Sequence, residues 1–254
     1  MGIIINQLDN KPIPYVNIGI RNKNFGAVSD EKGNFRLQFN TNQLADTLTF
    51  SCVGYQEESF PIKGILSKEK IVFAMKEKVT ELPEVIVSSK KPKIRKIGIK
   101  SHNPFLQGIA QSRDINDIVE IGRLIPIENP NTKITSAHLF LHYVSVDTAV
   151  FRINFYRFQS EEPGSRMVEK SIIVRLPVSK GWHVMDLDKY NIYMQEDFFI
   201  GIEFLPNKSN NNRNNSFMYG AKLGGLNGFS RNSSLGKWEK ARGAAHSLYV
   251  TVRQ

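Results

Sequence analysis

The chain has 254 residues, of which 41% are hydrophobic, and a formal net charge of +10. This length allows two domains with cores of their own, and the composition excludes an intrinsically disordered chain. The one cysteine, Cys52, excludes an internal disulfide framework, and its apolar surroundings in the sequence favour a small buried side chain. Sixteen Phe, eight Tyr and short runs of Ile and Val favour strands, so we predict an all-β chain.

The positive charge is concentrated in the middle of the chain, where residues 81–100 carry six basic and two acidic groups. A nucleic-acid-binding surface typically combines basic and aromatic residues or carries a reading motif, and we find neither in the sequence. We therefore interpret the charge as a solvated linker and predict no nucleic-acid partner. No apolar run approaches the ~20 residues of a membrane-spanning helix, so we also predict no transmembrane helix in this chain. The amino terminus lacks the basic region of an export signal.

The first eighty residues read as short strands separated by turns. The alternation of Phe35, Leu37 and Phe39 places these three side chains on one face of a strand. Polar turns at residues 9–12 and 30–33 separate neighbouring strands. The predicted strands cover residues 2–5, 13–20, 34–39, 47–53, 58–62 and 71–75.

Five segments of this region resemble the carboxypeptidase-like regulatory domain family. They are residues 2–4, 11–18, 26–35, 48–55 and 82–87, and the resemblance spans residues 1–87. It implies a transthyretin-like or immunoglobulin-like sandwich without catalytic residues of its own. Such domains occur beside peptidases and at the front of outer-membrane TonB-dependent receptors. The resemblance therefore implies a bacterial cell-envelope protein, either periplasmic or associated with the outer membrane.

The segment from Leu82 to Val87 is similar to the box by which such receptors pair with the energy-transducing TonB protein. Residues 101–254 are too few for the plug and barrel that follow that box in a receptor. The alternative, which we favour, is an ordinary strand that leads into the linker.

The remainder of the chain is predicted to be a basic linker at residues 88–97 and a second domain at residues 98–254. The linker contains Pro92 among Ser, Lys and Arg, and we expect two independently folding domains on either side of it. Eight predicted strands suggest a jelly-roll-like sandwich. They cover residues 118–127, 133–146, 150–158, 171–178, 182–187, 197–205, 216–221 and 246–252. The Asn-rich residues 207–216 are predicted to form a loop.

The sequence carries no motif that we can assign to catalysis. His138 and His142 share one face of a strand, but their spacing separates them by about 13 Å, too far to share a metal ion. No Gly-x-Ser-x-Gly elbow and no complete phosphate-binding loop occur. We predict no catalytic residues, no metal, no cofactor and no enzymatic activity, with a hydrolase as the weakest alternative.

Alternation within two strands suggests a binding surface. In residues 150–156 the polar face opposes Phe151, Ile153 and Phe155, and residues 198–204 place Glu203 opposite a second apolar face. Adjacent strands would bring the polar faces together as a surface for a polyol or carbohydrate, with a Trp in a loop as a second platform. The candidate ligand-binding residues are Arg152, Asn154, Tyr156, Glu203 and Trp238. The alternative is a cross-strand salt bridge on a half-solvated sheet, and we give it more weight.

These observations predict a non-catalytic cell-envelope binding or scaffolding protein whose ligand is a glycan or a protein partner. The alternative is an accessory or regulatory subunit of a separately encoded outer-membrane transporter or hydrolase.

Overall fold

The computed structural model describes residues 1–66, 71–78, 93–206, 216–224, 228–241 and 243–254. Within these residues nearly all regular structure is strand, organised into two sandwiches. The predicted fold class, all-β with two sandwich domains, is confirmed. No helix in the described part of the chain has the length and apolar character needed to cross a membrane.

The first sandwich consists of two small sheets around a core of aliphatic and aromatic side chains. Its described strands are β1 Gly2–Asn6, β2 Asn17–Gly19, β3 Gly26–Val28, β4 Asn34–Phe35, β5 Thr47–Ser51, β6 Glu58–Pro61 and β7 Ile71–Met75. One sheet has the order β4-β1-β7 and the other β3-β2-β5-β6. β1 and β7 pair in parallel, whereas the other pairs of this sandwich are antiparallel. The core includes Ile4, Val16, Ile18, Leu48, Phe50 and Phe73.

The predicted strand at residues 13–20 is much shorter in the structure. Tyr15 has a φ of 58°, in the left-handed region that bulky side chains seldom adopt, and this turns the chain before β2 begins at Asn17. Alternation of side chains alone does not predict such a break. The structure also contains elements that were not predicted, a short helix α1 (Ile62–Leu66) and a 3₁₀ turn at Thr41–Gln43.

The second sandwich consists of two larger sheets. Its described strands are β8 Ile94–Gly98, β9 Gln107–Gln111, β10 Val119–Ile125, β11 Thr132–Val144, β12 Thr148–Gln159, β13 Glu162–Arg166, β14 Ile173–Pro177, β15 Gly181–Asp186, β16 Ile192–Met194, β17 Phe198–Phe204, β18 Ser216–Leu223, β19 Gly228–Arg231, β20 Glu239–Lys240, β21 Ala244–His246 and β22 Leu248–Arg253. A second 3₁₀ turn covers Asp188–Tyr190.

The two sheets of the second sandwich enclose one large apolar core. One sheet has the order β13-β12-β17-β10-β19-β20, with β14 also paired to β12. The other has the order β21-β18-β11-β22-β8, with β15 and β16 on β11 and β9 on β18. Alternate residues point inward, so the core holds Ile121, Leu139, Phe151, Phe155, Ile202 and Val250, among others.

The structure describes only the second half of the predicted linker, residues 88–97. Residues 88–92 and the segment from Leu82 to Val87 lie outside the described residues. β8, in contrast, begins at Ile94 and pairs antiparallel with β22, so residues 94–97 belong to a sheet of the second sandwich. Composition alone did not predict this strand, because Arg95 and Lys96 make the segment look like a basic linker. An edge strand such as β8 tolerates charged residues.

The two sandwiches are in direct contact along a surface that we call the seam. The amide of Val28 donates to the carbonyl oxygen of Asn116 at 2.8 Å, and that of Asn22 donates to the carbonyl oxygen of Leu235 at 3.0 Å. Lys78 of the first sandwich forms an ion pair with Glu169 of the second at 2.8 Å. A small apolar cluster within the seam consists of Val28, Ile118, Val150 and Leu205, with Tyr15 and Ile173 packed against it.

Candidate functional site

The candidate residues predicted from alternation come together on two paired strands. β12 and β17 are antiparallel, with Arg152 opposite Glu203 and Asn154 opposite Gly201. Because successive side chains of a strand point to opposite faces, Arg152, Asn154 and Tyr156 share the face that is turned away from the main core. This face of the sheet lies against the first sandwich, which contributes Tyr15 and Asn17 to it.

Arg152 joins the two sandwiches. Its Nε donates to Oε2 of Glu203, its Nη1 donates to the carbonyl oxygen of Tyr15, and its Nη2 donates to Oδ1 of Asn17 at 2.6 Å. The side-chain nitrogen Nδ2 of Asn17 in turn donates to Oε1 of Glu203 at 2.8 Å. Arg152, Asn17 and Glu203 therefore form a closed ring of charge-assisted hydrogen bonds, which are stronger than neutral ones.

A second acid, Glu120, completes the cluster from the neighbouring strand. β10 places Glu120 opposite Glu203 on one side and opposite Arg231 on the other. One carboxylate oxygen of Glu120 accepts from the amide of Asn154 at 2.9 Å and from the hydroxyl of Tyr156 at 3.0 Å. The other oxygen accepts from Nε of Arg231 at 2.7 Å. The result is an ionic cluster of two carboxylates and two guanidinium groups, whose charges balance.

Trp238 lies at the outer end of the ionic cluster. The guanidinium of Arg231 is 4.6 Å from the centre of the Trp238 ring, a distance typical of a cation–π contact. The rings of Trp238 and Tyr156 are 5.9 Å apart and nearly perpendicular. All five candidate residues therefore belong to one connected group, in which Trp238 is half-buried and the other four are buried.

Burial and charge pairing oppose each other within the ionic cluster. Burial disfavours the ionised form of Glu203, but the adjacent Arg152 outweighs this and lowers the pKa of Glu203 below its usual range. Burial likewise disfavours the charged form of Arg231, yet Glu120 raises the pKa of that guanidinium. Burial and the nearby Glu120 both raise the pKa of Tyr156, which keeps its hydroxyl protonated as a donor.

The ionic cluster is almost sealed from solvent. Arg152 is 1% exposed, Glu203 0%, Asn154 3% and Tyr156 5%. A ligand reaches these four side chains only if the seam opens, so their role as a ligand site remains a prediction, and the contacts shown are with protein groups. The salt bridge between Arg152 and Glu203 that we considered as the alternative is present. It is fully buried rather than half-solvated, because the first sandwich covers that face of the sheet.

Cys52 and His138, the other residues considered in the sequence, are both buried. Cys52 is buried at 7% exposure, and burial raises the pKa of its thiol. His138 hydrogen-bonds Ser136 at 2.8 Å and Thr251 at 2.9 Å, and burial lowers its pKa to about 4. Among the described residues, no cluster of three or more His, Cys, Asp or Glu side chains has a geometry that could hold a metal ion.

Sequence reasoning missed three members of the ionic cluster, Glu120, Arg231 and Asn17. Glu120 lies in a predicted strand between Val119 and Ile121. An isolated acid in an apolar strand indicates that a buried basic or hydrogen-bonding partner is needed, and this could have been inferred from the sequence. Arg231 follows a glycine-containing segment where no strand was predicted. Asn17 belongs to the other sandwich, so no local pattern connects it with Arg152.

Comparison with solved structures gives only distant likenesses. The cysteine protease and lectin-like domains of Cwp84, a surface layer associated protein of Clostridium difficile, match at 11% identity and a TM-score of 0.43, over 58% of this chain and 36% of that one. The infectious bursal disease virus Gt strain structure matches at 12% identity and a TM-score of 0.33, over 95% of this chain and 58% of that one. The chain thus spans less than two thirds of the length of either, and likenesses this weak support no functional argument.

Comparison with curated proteins gives no significant match. A family model does match, and it covers the first of the two sandwiches. Residues 1–87 match the CarboxypepD_reg-like domain family, which confirms the resemblance to carboxypeptidase-like regulatory domains for this third of the chain.

Proposed function

We propose that the chain is a non-catalytic binding or scaffolding protein of a bacterial cell envelope. Its regulatory-type first domain fits a non-catalytic binding role. The envelope location is proposed because domains of this family occur beside peptidases and in outer-membrane receptors. The ligand is a glycan or a protein partner, bound by a surface of the paired sandwiches.

The ionic cluster is the observation that supports this proposal most directly. Glu120, Glu203, Arg152 and Arg231 are the acids and bases brought together on one sheet, and each is hydrogen-bonded to another member of the cluster. Groups that satisfy one another in this way stabilise a fold, whereas a catalytic acid or base must face a substrate. The cluster therefore acts as the connection between the regulatory-type domain and the rest of the chain.

The alternative, an accessory subunit of a separately encoded transporter or hydrolase, is favoured by a different observation. Phe105 is 96% exposed and Leu223 is 67% exposed, and both line one groove of about 500 Å³ beside Pro104. Exposed apolar side chains that share a groove are typical of protein-interaction surfaces. Purification from a native host in complex with such a transporter or hydrolase, lost in Phe105→Ser, would favour this alternative.

The test of the non-catalytic proposal is a parallel assay of binding and turnover with the full chain. Purified envelope polysaccharides and peptides are measured by calorimetry, and the same compounds are followed for hydrolysis by mass spectrometry. We expect binding of at least one compound, with turnover at the background rate. Hydrolysis that is lost in Glu120→Gln or Glu203→Gln at an unchanged melting temperature would overturn the proposal.

A further inference from the structure

The outer face of the second sandwich carries a continuous row of rings, which we call the aromatic track. Its members are His102, Phe140, Trp182, Tyr249 and His138. β11 pairs with β15 on one side and with β22 on the other, so that Phe140 lies opposite Trp182 and His138 lies opposite Tyr249. The neighbouring residues Leu139 and Val250 point into the core, and the track therefore occupies the opposite face of the sheet.

Each ring of the track contacts the next. The centre of His102 lies 3.8 Å from that of Phe140, and Phe140 lies 5.5 Å from Trp182. Trp182 lies 5.0 Å from Tyr249, which stacks on His138 at 4.1 Å with an angle of 6° between the ring planes. The row thus crosses three strands.

The track reaches solvent at Trp182 and His102, whereas Phe140, His138 and Tyr249 are only 6–8% exposed. Polar groups lie along its margin. Trp182 is half-buried, and Val184, which follows it on the same face, is 57% exposed. The hydroxyls of Ser136 and Thr251 lie beside His138, to which both are hydrogen-bonded. Apolar ring surface next to hydroxyl and imidazole groups is the composition that fits a sugar, whose C–H face is apolar and whose edge carries hydroxyls.

Two imidazoles at one end of the track have unused hydrogen-bonding capacity. The rings of His102 and His142 lie 5.5 Å apart, and both are partly exposed. Nδ1 of His102 and Nε2 of His142 are buried atoms that have no hydrogen-bond partner among the described residues. Burial, followed by the nearby charges of His102 and Lys180, lowers the pKa of His142. A neutral imidazole can donate or accept after a rotation about χ2, and sugar hydroxyls supply both functions.

Three lysines around the track favour an anionic sugar. Nζ of Lys96 lies 5.7 Å from the centre of the Tyr249 ring, Lys180 is the cation next to His142, and Lys222 lines a groove together with His102. None of these three lysines forms an ion pair with another residue in the described ranges. An anionic ligand would therefore meet unneutralised positive charge along the row of rings.

We propose that the aromatic track binds an acidic polysaccharide at its partly exposed ring Trp182, with a sugar ring against Trp182 and carboxylates beside Lys96, Lys180 and Lys222. This inference rests on the proposed binding function and gives it a site and a ligand class. It differs from the surface predicted around Arg152 and Tyr156, which lies on the other sheet of the same sandwich. The three lysines are far apart in sequence, which is why no basic face could be found there.

The test uses the full chain and three chain-like probes of matched length: alginate oligosaccharides, neutral cello-oligosaccharides and single-stranded oligo-dT. We expect calorimetry to show that alginate binds more tightly than the neutral probe and that its affinity falls as the salt concentration rises. Trp182→Ala should weaken alginate binding by about tenfold or more, as expected for an aromatic anchor. Lys96→Gln and Lys180→Gln should each weaken it by about threefold and reduce the salt dependence.

The matched controls lie away from the track. Tyr190, which has Lys170 and Lys189 near its ring, is changed to Ala, and Lys11, which is paired with Asp9, is changed to Gln. Neither change should alter alginate binding by more than about twofold. The melting temperature of each variant is measured, and Trp182→Phe replaces Trp182→Ala if the alanine variant does not fold.

The binding results distinguish the proposed site from its ligand class. Alginate binding that is unchanged in the Trp182 and lysine variants overturns the track but leaves the proposed binding function in place. Equal binding of the neutral probe overturns the acidic ligand class, and tighter binding of oligo-dT makes the track a nucleic-acid surface. If no probe binds while an envelope protein does, the track is wrong and the protein-partner form of the proposed function holds.

Discussion

The guanidinium of Arg152 donates a hydrogen bond of 2.6 Å to the side-chain oxygen of Asn17, and this bond connects the two sandwiches through residues 135 positions apart in the sequence. Because Arg152 is also the ionic partner of the buried Glu203, Arg152→Met leaves a charge in the seam without its counterion. We expect a loss of about 3–5 kcal/mol in the free energy of unfolding, measured by urea denaturation.

The exposed pair of Arg157 and Glu196 provides the matched control on the same strand. Arg157→Met should change the free energy of unfolding by less than about 1 kcal/mol, since a solvated pair contributes little. The double variant Arg152→Met with Glu203→Leu should recover part of the loss because it removes both buried charges. Equal costs at Arg152 and Arg157 would contradict a buried role for the ionic cluster.

Close backbone contact across the seam predicts a second effect. A Cβ atom at Gly19 would collide with the carbonyl oxygen of Ser234, which belongs to the other sandwich, whereas a Cβ atom at Gly64 in α1 meets nothing within 4 Å. Gly19→Ala should therefore cost about 1–3 kcal/mol, as overpacking does. Gly64→Ala should be neutral or stabilising by about 0.5–1 kcal/mol, because Ala is the better helix residue. Thermal melting of the two variants checks both expectations.

The seam also changes the expectation of independent folding. Its polar and apolar contacts, together with the ion pair of Lys78 and Glu169, connect the two sandwiches. We now expect one calorimetric transition for the full chain, with equal van't Hoff and calorimetric enthalpies. Arg152→Met should separate this into two transitions. Two resolved transitions in the unchanged protein would show that the seam does not couple the domains.

Acid should destabilise the protein through His246, which is 2% exposed. Burial lowers the pKa of His246 to about 4, although its Nδ1 donates to the carbonyl oxygen of Gly122. The unfolded chain binds this proton near pH 6.5, so the stabilising effect is complete above that pH and declines as the pH falls toward 4. The decline from pH 7 to pH 4.5 should be about 2–3 kcal/mol for this residue.

The comparison variant is His246→Phe, studied by urea denaturation at pH 7 and pH 4.5. Its loss of stability between these pH values should be smaller than that of the unchanged chain. Asp117 acts in the opposite direction: burial raises its pKa to about 6, so its contribution is lost as the pH rises through that value. It is present in both proteins and cancels in the comparison. An identical pH dependence of the two proteins would show that His246 does not titrate in this range.

The sequence predicts strands well where one face is apolar over several residues. Alternation in residues 150–156 and 198–204 correctly placed Arg152 and Glu203 on the same face, because the period of a strand is two. It could not show that this face is covered, since the cover comes from Tyr15 and Asn17, more than 130 residues away. Both interpretations of the pair, a ligand surface and a half-solvated salt bridge, therefore assumed an accessible face, and solvent exposure is a tertiary property.

Elements without a periodic apolar pattern were missed for related reasons. β8 is basic, and β9 and β20 are short and carry few apolar side chains, so each depends on pairing with a neighbouring strand rather than on its own composition. The aromatic track was missed as well. Trp182 was recognised as a strand residue, but its neighbours Phe140 and Tyr249 come from two other strands, and only the register brings the three rings together.

The reactivity of Cys52 can measure how often the first sandwich opens. It is the one thiol of the chain, it is buried, and the positive groups that influence it electrostatically, Arg152 and Arg166, belong to the second sandwich. A thiol reagent therefore reacts only while the first sandwich is open at this edge, and the rate of modification in the native state measures how often that happens. No label needs to be introduced, and a ligand that holds the two sandwiches together would slow the reaction in proportion to its binding.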